Sequence, residues 1–131
     1  MTVFKPSTRL FGALALGLLA AWPGAAGAGK ASVLDVVVIA NPNGTYTFQV
    51  TVAHKDEGWK HYADKFEILG PDGKAIATRV LYHPHVNEQP FTRSLANVNV
   101  PLGVTHVTVR AWDTVHKAGT RTFRAKLPPR K

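Results

Sequence analysis

The chain is expected to fold as an all-β domain, a seven-stranded antiparallel β-sandwich of immunoglobulin or fibronectin III type. Three observations carry this. Apolar and polar residues alternate with period two along most of the chain. No stretch sustains a helical period. Turn signals recur every ten or so residues over about 100 residues, the spacing of a small sandwich.

The elements follow in order. Val33 to Ala40 is the first strand, closed by the turn Asn41-Pro42-Asn43-Gly44. Thr45 to His54 is the second, with Tyr46, Phe48, Val50 and Val52 on one face and Thr45, Thr47, Gln49 and Thr51 on the other, the pattern of a half-buried antiparallel strand. The third runs from Tyr62 to Leu69, although His61 to Lys65 also reads as a helical turn. Pro71-Asp72-Gly73 is a tight turn. Ala75 to Tyr82, Phe91 to Val100, Val104 to Asp113 and Thr120 to Leu127 supply strands four to seven, with Pro101-Leu102-Gly103 turning the chain between the fifth and sixth.

The N-terminal segment stands outside this pattern. Lys5 and Arg9 precede the apolar run Leu10 to Trp22, and small residues follow to Ala28. That is the three-part layout of a secretory signal peptide, with cleavage placed after Ala28. The apolar run, about 13 residues, is short of the ~20 that span a bilayer. Residues 29–131 are then one domain of the mature chain, without a transmembrane segment and expected as a monomer. Processing removes Lys5 and Arg9 and lowers the net charge from +8 to about +6. The chain has no cysteine. A small exported domain that relies on its core instead of disulfides fits the bacterial periplasm. The basic residues are scattered and not interleaved with aromatics, so nucleic acid is not an expected partner.

Function is expected at one end of the sandwich. In alternating antiparallel strands the tight turns at 41–44, 71–74 and 101–103 share one end. The longer, polar loops at 55–61, 83–90 and 114–119 share the other. Five of the six histidines sit in or beside those loops: His54, His61, His83, His85 and His116. His106 lies at the opposite end and reads as a surface residue.

Imidazole suits Zn(II) and Cu(II), and two histidines two residues apart project to one side of an extended chain. His83 and His85 are therefore the leading ligand candidates. His54, His61 or His116 would supply a third ligand, and Glu88 or Asp56 an oxygen donor. Asp56, Asp64 and Asp113 continue the inward parity of their strands and are expected to orient the rings or brace the loops. Buried carboxylates need such partners.

Trp59, Tyr62, Tyr82, Phe91 and Trp112 flank the same loops, either closing the sandwich end or offering a platform for a protein or glycan. In that alternative the His/Asp cluster is purely structural. No catalytic motif accompanies the histidines, and Ser94 has no nucleophile signature. The chain is read as a binding protein for a divalent transition metal, not an enzyme. Catalysis with the metal as Lewis acid would need an open coordination position.

The strings "HYAD", "HPHVNEQPFTRS" and "VRAWDTVH" resemble a family of small exported proteobacterial proteins. The resemblance covers nearly all of the mature chain. It implies export and a single domain, and brings no established activity. It also implies a histidine at position 112, where this chain has tryptophan.

Overall fold

The computed structural model describes residues 29–131. The segment expected to be a signal peptide, residues 1–28, lies outside them. No helix among the described residues is long and apolar enough to cross a membrane.

Eight strands form: β1 Ser32–Ala40, β2 Tyr46–Ala53, β3 Ala63–Leu69, β4 Ala75–Val80, β5 Phe91–Val98, β6 His106–Asp113, β7 Lys117–Ala118 and β8 Phe123–Lys126. They make two antiparallel sheets. One has three strands in the order β1-β2-β5. The other has five, β4-β3-β6-β7, with β8 paired to β6. The sheets share one core, the arrangement of a β-sandwich.

Period-two patterning builds that core. Tyr46, Phe48, Val50 and Val52 of β2 are buried, as are Val107, Val109, Ala111 and Asp113 of β6. Phe66, Ile68, Phe91 and Val33 are among the other large buried side chains. At roughly 1.5–3 kcal/mol for each fully buried large apolar side chain, these residues dominate the favourable side of folding.

Two expectations change at the polar end. The strand expected over 120–127 shortens to Phe123–Lys126, and an extra two-residue strand forms in the loop before it. Lys117 takes a left-handed conformation (φ 64°), and Lys117–Ala118 fold back to pair with Trp112 and Asp113 before β8 begins at Phe123. The helical turn considered for 61–65 does not form. A turn at Gly58 (φ 103°) closes with the His61 N–H donating to the Gly58 carbonyl at 3.2 Å, and β3 starts two residues later.

A register shift between Ala63 and Lys65 then interrupts the alternation of β3. Asp64 is only half-buried, so it does not share the full burial of Phe66. The tight turns lie at the opposite end, and the three polar loops converge as their connectivity requires.

Candidate metal centre

The chain positions His54 by continuing β2 one residue past its end, on the buried parity of Val50 and Val52. The Asp113 side chain arrives from the last residue of β6, also on the buried parity. His61 is brought in by the Gly58 turn. Thr114 pins that turn to the end of β6: its Oγ1 accepts from the Tyr62 N–H and donates to the Lys60 carbonyl, each at 3.2 Å.

One ligand atom from each of His54, His61 and Asp113 lies within 4.8 Å of the others, a group able to hold a metal ion. His54 Nε2 and His61 Nε2 are 3.2 Å apart. His61 Nε2 is 3.2 Å from Asp113 Oδ1. The Gly29 carbonyl oxygen lies 3.3 Å from both ring nitrogens.

The protons of this cluster can be counted. Asp56 is a carboxylate: Oδ1 accepts from the Ala63 N–H at 3.0 Å and Oδ2 from the His85 N–H at 2.7 Å. The 2.6 Å contact of His54 Nδ1 with Asp56 Oδ1 therefore has the ring donating. In neutral His54 the remaining nitrogen, Nε2, is then a lone pair. It points at a carbonyl oxygen and at a second imidazole nitrogen. Neutral His61 brings at most one proton to a meeting of four electron-rich atoms: two imidazole nitrogens, a carbonyl oxygen and a carboxylate oxygen.

Electrostatics point the same way. The Asp56 and Asp113 side chains are fully buried, and neither has a lysine or arginine ion-pair partner among the described residues. Burial pushes the Asp113 carboxyl up, but the N–H groups of His116 (2.7 Å) and Val115 (2.9 Å) outweigh it and hold it below the usual carboxylate range. Asp113 is thus an anion at neutral pH. Its Oδ2 is buried without a hydrogen-bond partner. Buried anions of this kind need a cation or a full set of donors.

His116 is the outer member. Its Nδ1 is 3.2 Å from Asp113 Oδ1, its ring centroid is 5.0 Å from that of His61, and its side chain is 38% exposed.

The expected pair His83 and His85 is not brought into this group. His83 is exposed. His85 is buried and stacked on Phe91, ring centroids 4.2 Å apart. Both His85 ring nitrogens are buried without hydrogen-bond partners. Burial, with Arg93 and His83 alongside, lowers its pKa below the ordinary histidine value. The physical reason is Phe91, whose face the ring covers. His85 reaches the cluster only through Asp56, its N–H on Oδ2 and its Nδ1 4.0 Å away.

Glu88 is exposed and ion-paired with Arg93 at 2.8 Å, which holds its carboxyl below the usual range. The Asp64 carbonyl accepts from the Leu81 N–H, tying β3 to the end of β4, and its side chain stands outside the metal-capable group. Asp113, expected to support the ligands, is itself one of the three. Trp112 lies on the opposite face of β6, between Lys65 and Arg110, with its indole N–H on Glu67. Loss of a histidine at position 112 therefore takes nothing from this cluster. Trp59 is 69% exposed and packs edge-on against Tyr62.

Two residues went unread in the sequence. Gln89 spans the cluster, its Oε1 accepting from the His54 N–H at 3.0 Å and its Nε2 donating to the His85 carbonyl at 2.9 Å. Gly29 supplies the carbonyl described above. Its only sequence signal was its place just after the expected cleavage point.

A buried His-His-Asp group at one pole of a two-sheet β protein is the class of site that results. No protein-family model matches the chain, and no solved structure matches it significantly. The chain is 37% identical over 90 residues to a protein of the haloarchaeon Halomicrobium mukohataei described as "Putative lipoprotein". The matched stretch covers 69% of this chain and 44% of that protein, so the chain spans less than half of the relative's length. The likeness is distant and haloarchaeal, and the proteobacterial family expected from the loop strings is not shown by it.

Proposed function

We propose that the protein is an exported, periplasmic metal-binding domain that holds one divalent transition metal between His54, His61 and Asp113. The observation that carries this is the spacing of the donors. At metal–ligand distances of 2.0–2.1 Å, tetrahedral ligands stand about 3.3–3.4 Å apart. The His54–His61 and His61–Asp113 distances are both 3.2 Å. A square-planar Cu(II) site would bring neighbouring ligands to about 2.8 Å. The third separation, His54 to Asp113, is wider, up to 4.8 Å, so the donor set suits either Zn(II) or Cu(II). The Asp56–His54 hydrogen bond is the carboxylate–imidazole pair that fixes ring orientation in metal sites.

Burial supports binding over catalysis. The side chains of His54 and Asp113 are fully buried and that of His61 is 14% exposed, leaving little approach for a substrate. Export is supported by the N-terminal layout and by the name of the haloarchaeal relative. The strand orders β1-β2-β5 and β4-β3-β6-β8 support the immunoglobulin/fibronectin III reading of the sandwich.

One observation favours a second role for the same pole. Trp59, Tyr82 and Val86 are exposed on its loops at 69%, 74% and 54%. They offer apolar anchors to a protein or glycan.

Calorimetry on metal-stripped residues 29–131 tests the primary reading. Zn(II) should bind one per chain, tighter than about 10 μM, roughly −7 kcal/mol. His54→Ala or His61→Ala should abolish binding, while His83→Ala and His106→Ala should leave it within threefold. Weaker binding than 10 μM for both Zn(II) and Cu(II) removes the proposal and leaves the cluster as a structural brace.

A further inference from the structure

The polar pole has a fourth donor that belongs to no loop. Gly29 lies at the start of the domain, and its carbonyl oxygen is 3.3 Å from both His54 Nε2 and His61 Nε2. With the His54–His61 and His61–Asp113 distances, four of the six edges of a donor tetrahedron are given. All four are 3.2–3.3 Å, while the His54–Asp113 edge is wider, up to 4.8 Å.

With His116 where it stands, residue 29 has room only for glycine. A Cβ there would stand 2.5 Å from His116 Cε1 and 2.6 Å from Nε2. The segment that carries it is held in turn by a second close approach. A Cβ on Gly119 would lie 2.0 Å from the Ala31 carbonyl oxygen. Further along, the Val33 N–H donates to the Arg121 carbonyl at 3.0 Å. Two glycines therefore bring the head of the domain across the histidines.

Cleavage after Ala28, read from the signal-peptide layout, would free the α-amine of this same residue. An amide nitrogen has no lone pair to offer a metal. A free amine has one, and amine and carbonyl of one glycine close a five-membered chelate ring on a metal ion.

We infer that the metal centre is completed by maturation: Gly29, once its α-amine is released, ligates the same divalent ion as His54, His61 and Asp113 through that amine, alone or in a chelate with its carbonyl oxygen. The inference rests on the metal reading above. It adds a regulatory property, that the precursor loads metal poorly and the processed chain loads it well. Binding in the wrong compartment is thereby limited by chemistry at one atom.

The test compares three forms of the protein. The full precursor is exported from a bacterial host, and the purified product is analysed by intact mass and N-terminal sequencing, which should show a start at Gly29. That product is then compared with chains carrying an acetylated Gly29 amine and with chains that retain Ala28, using Zn(II) and Cu(II) calorimetry. The Cu(II) electron paramagnetic resonance spectrum reports the number of nitrogen ligands.

Blocking the amine should weaken binding at least tenfold and change the Cu(II) spectrum, with an unchanged thermal midpoint in the absence of metal. Gly29→Ala keeps the amine but sets a Cβ against the His116 ring, so residue 29 or that ring must shift, and it should also weaken binding. Equal affinity of free and blocked chains overturns the inference and leaves the His-His-Asp site standing. Failure of every form to bind removes the site itself. A start other than Gly29 overturns it, as does amine-dependent binding that survives His54→Ala at full strength.

Discussion

Asp56 is the residue on which the pole turns. One carboxylate accepts from the His54 ring, the Ala63 N–H and the His85 N–H, and so joins the end of β2, the start of β3 and the loop before β5. Asp56→Ala leaves two buried N–H groups and a ring nitrogen without an acceptor. Each unsatisfied buried group costs about 1–3 kcal/mol, so the loss should reach about 3 kcal/mol or more in urea unfolding. Asp56→Asn keeps an acceptor but weakens the orienting bond, and Zn(II) affinity should fall about 10–100-fold. An affinity within twofold of wild type would mean the His54 ring is held by other contacts.

His54 and Asp113 were legible as inward residues because parity along a strand survives into its last residue. His61 was legible only as one of several loop histidines, because a turn has no parity to project. His83 and His85 lie together, ring centroids 4.8 Å apart, but stay outside this group for a residue-level reason. Sharing one side of an extended chain says nothing about what that side faces, and in His85 it is the ring of Phe91.

Among the elements, β6 shows both the reach and the limit of alternation. Its strict in-out pattern sends Asp113 to the cluster and Trp112 to the outer face, beside Lys65 and Glu67. In β3 the register shift after Ala63 interrupts that parity, and Asp64 is only half-buried, with its Oδ1 buried and without a hydrogen-bond partner. A bulge inserts one residue without a signature in the hydrophobic pattern.

The strand read as 120–127 differs in extent. It starts only at Phe123, and the loop before it holds a two-residue return, β7, set by a positive φ at Lys117 and by Gly119, whose N–H donates to the Ala111 carbonyl at 2.8 Å. Gly119→Ala tests that element. Its Cβ would meet the Ala31 carbonyl at 2.0 Å, backbone that cannot yield without moving residues 29–31. Stability should fall by about 2 kcal/mol or more, the range of a steric clash in a packed site. Limited proteolysis should begin at the head of the domain. Wild-type stability in the variant would show that this segment is not packed as described.

For the molecule as a whole, acid response follows from the histidine that the metal cluster leaves aside. Burial lowers the pKa of His85 in the folded state below 6.5, its value in an unfolded chain. The unfolded state therefore binds a proton at a pH where the folded state does not. Stability contributed by His85 is complete above pH 6.5 and is lost as pH falls toward its lower folded value. His85→Phe keeps a ring against Phe91 and removes the titration. Metal-free wild type should lose thermal stability between pH 7 and 5, and His85→Phe should lose less. Parallel curves would assign the acid sensitivity to other groups.

The alternating pattern alone led to strands, a two-layer core and a polar pole, because period two and tight turns are local properties that each segment carries with it. It also placed Asp113 and His54 at that pole. Which imidazoles face one another was decided only by the tertiary structure. Coordination depends on distances of about 3 Å between atoms far apart in the chain, set by one turn at Gly58, one aromatic ring at Phe91 and two glycines that admit the head of the domain. None of these leaves a periodic trace in the sequence.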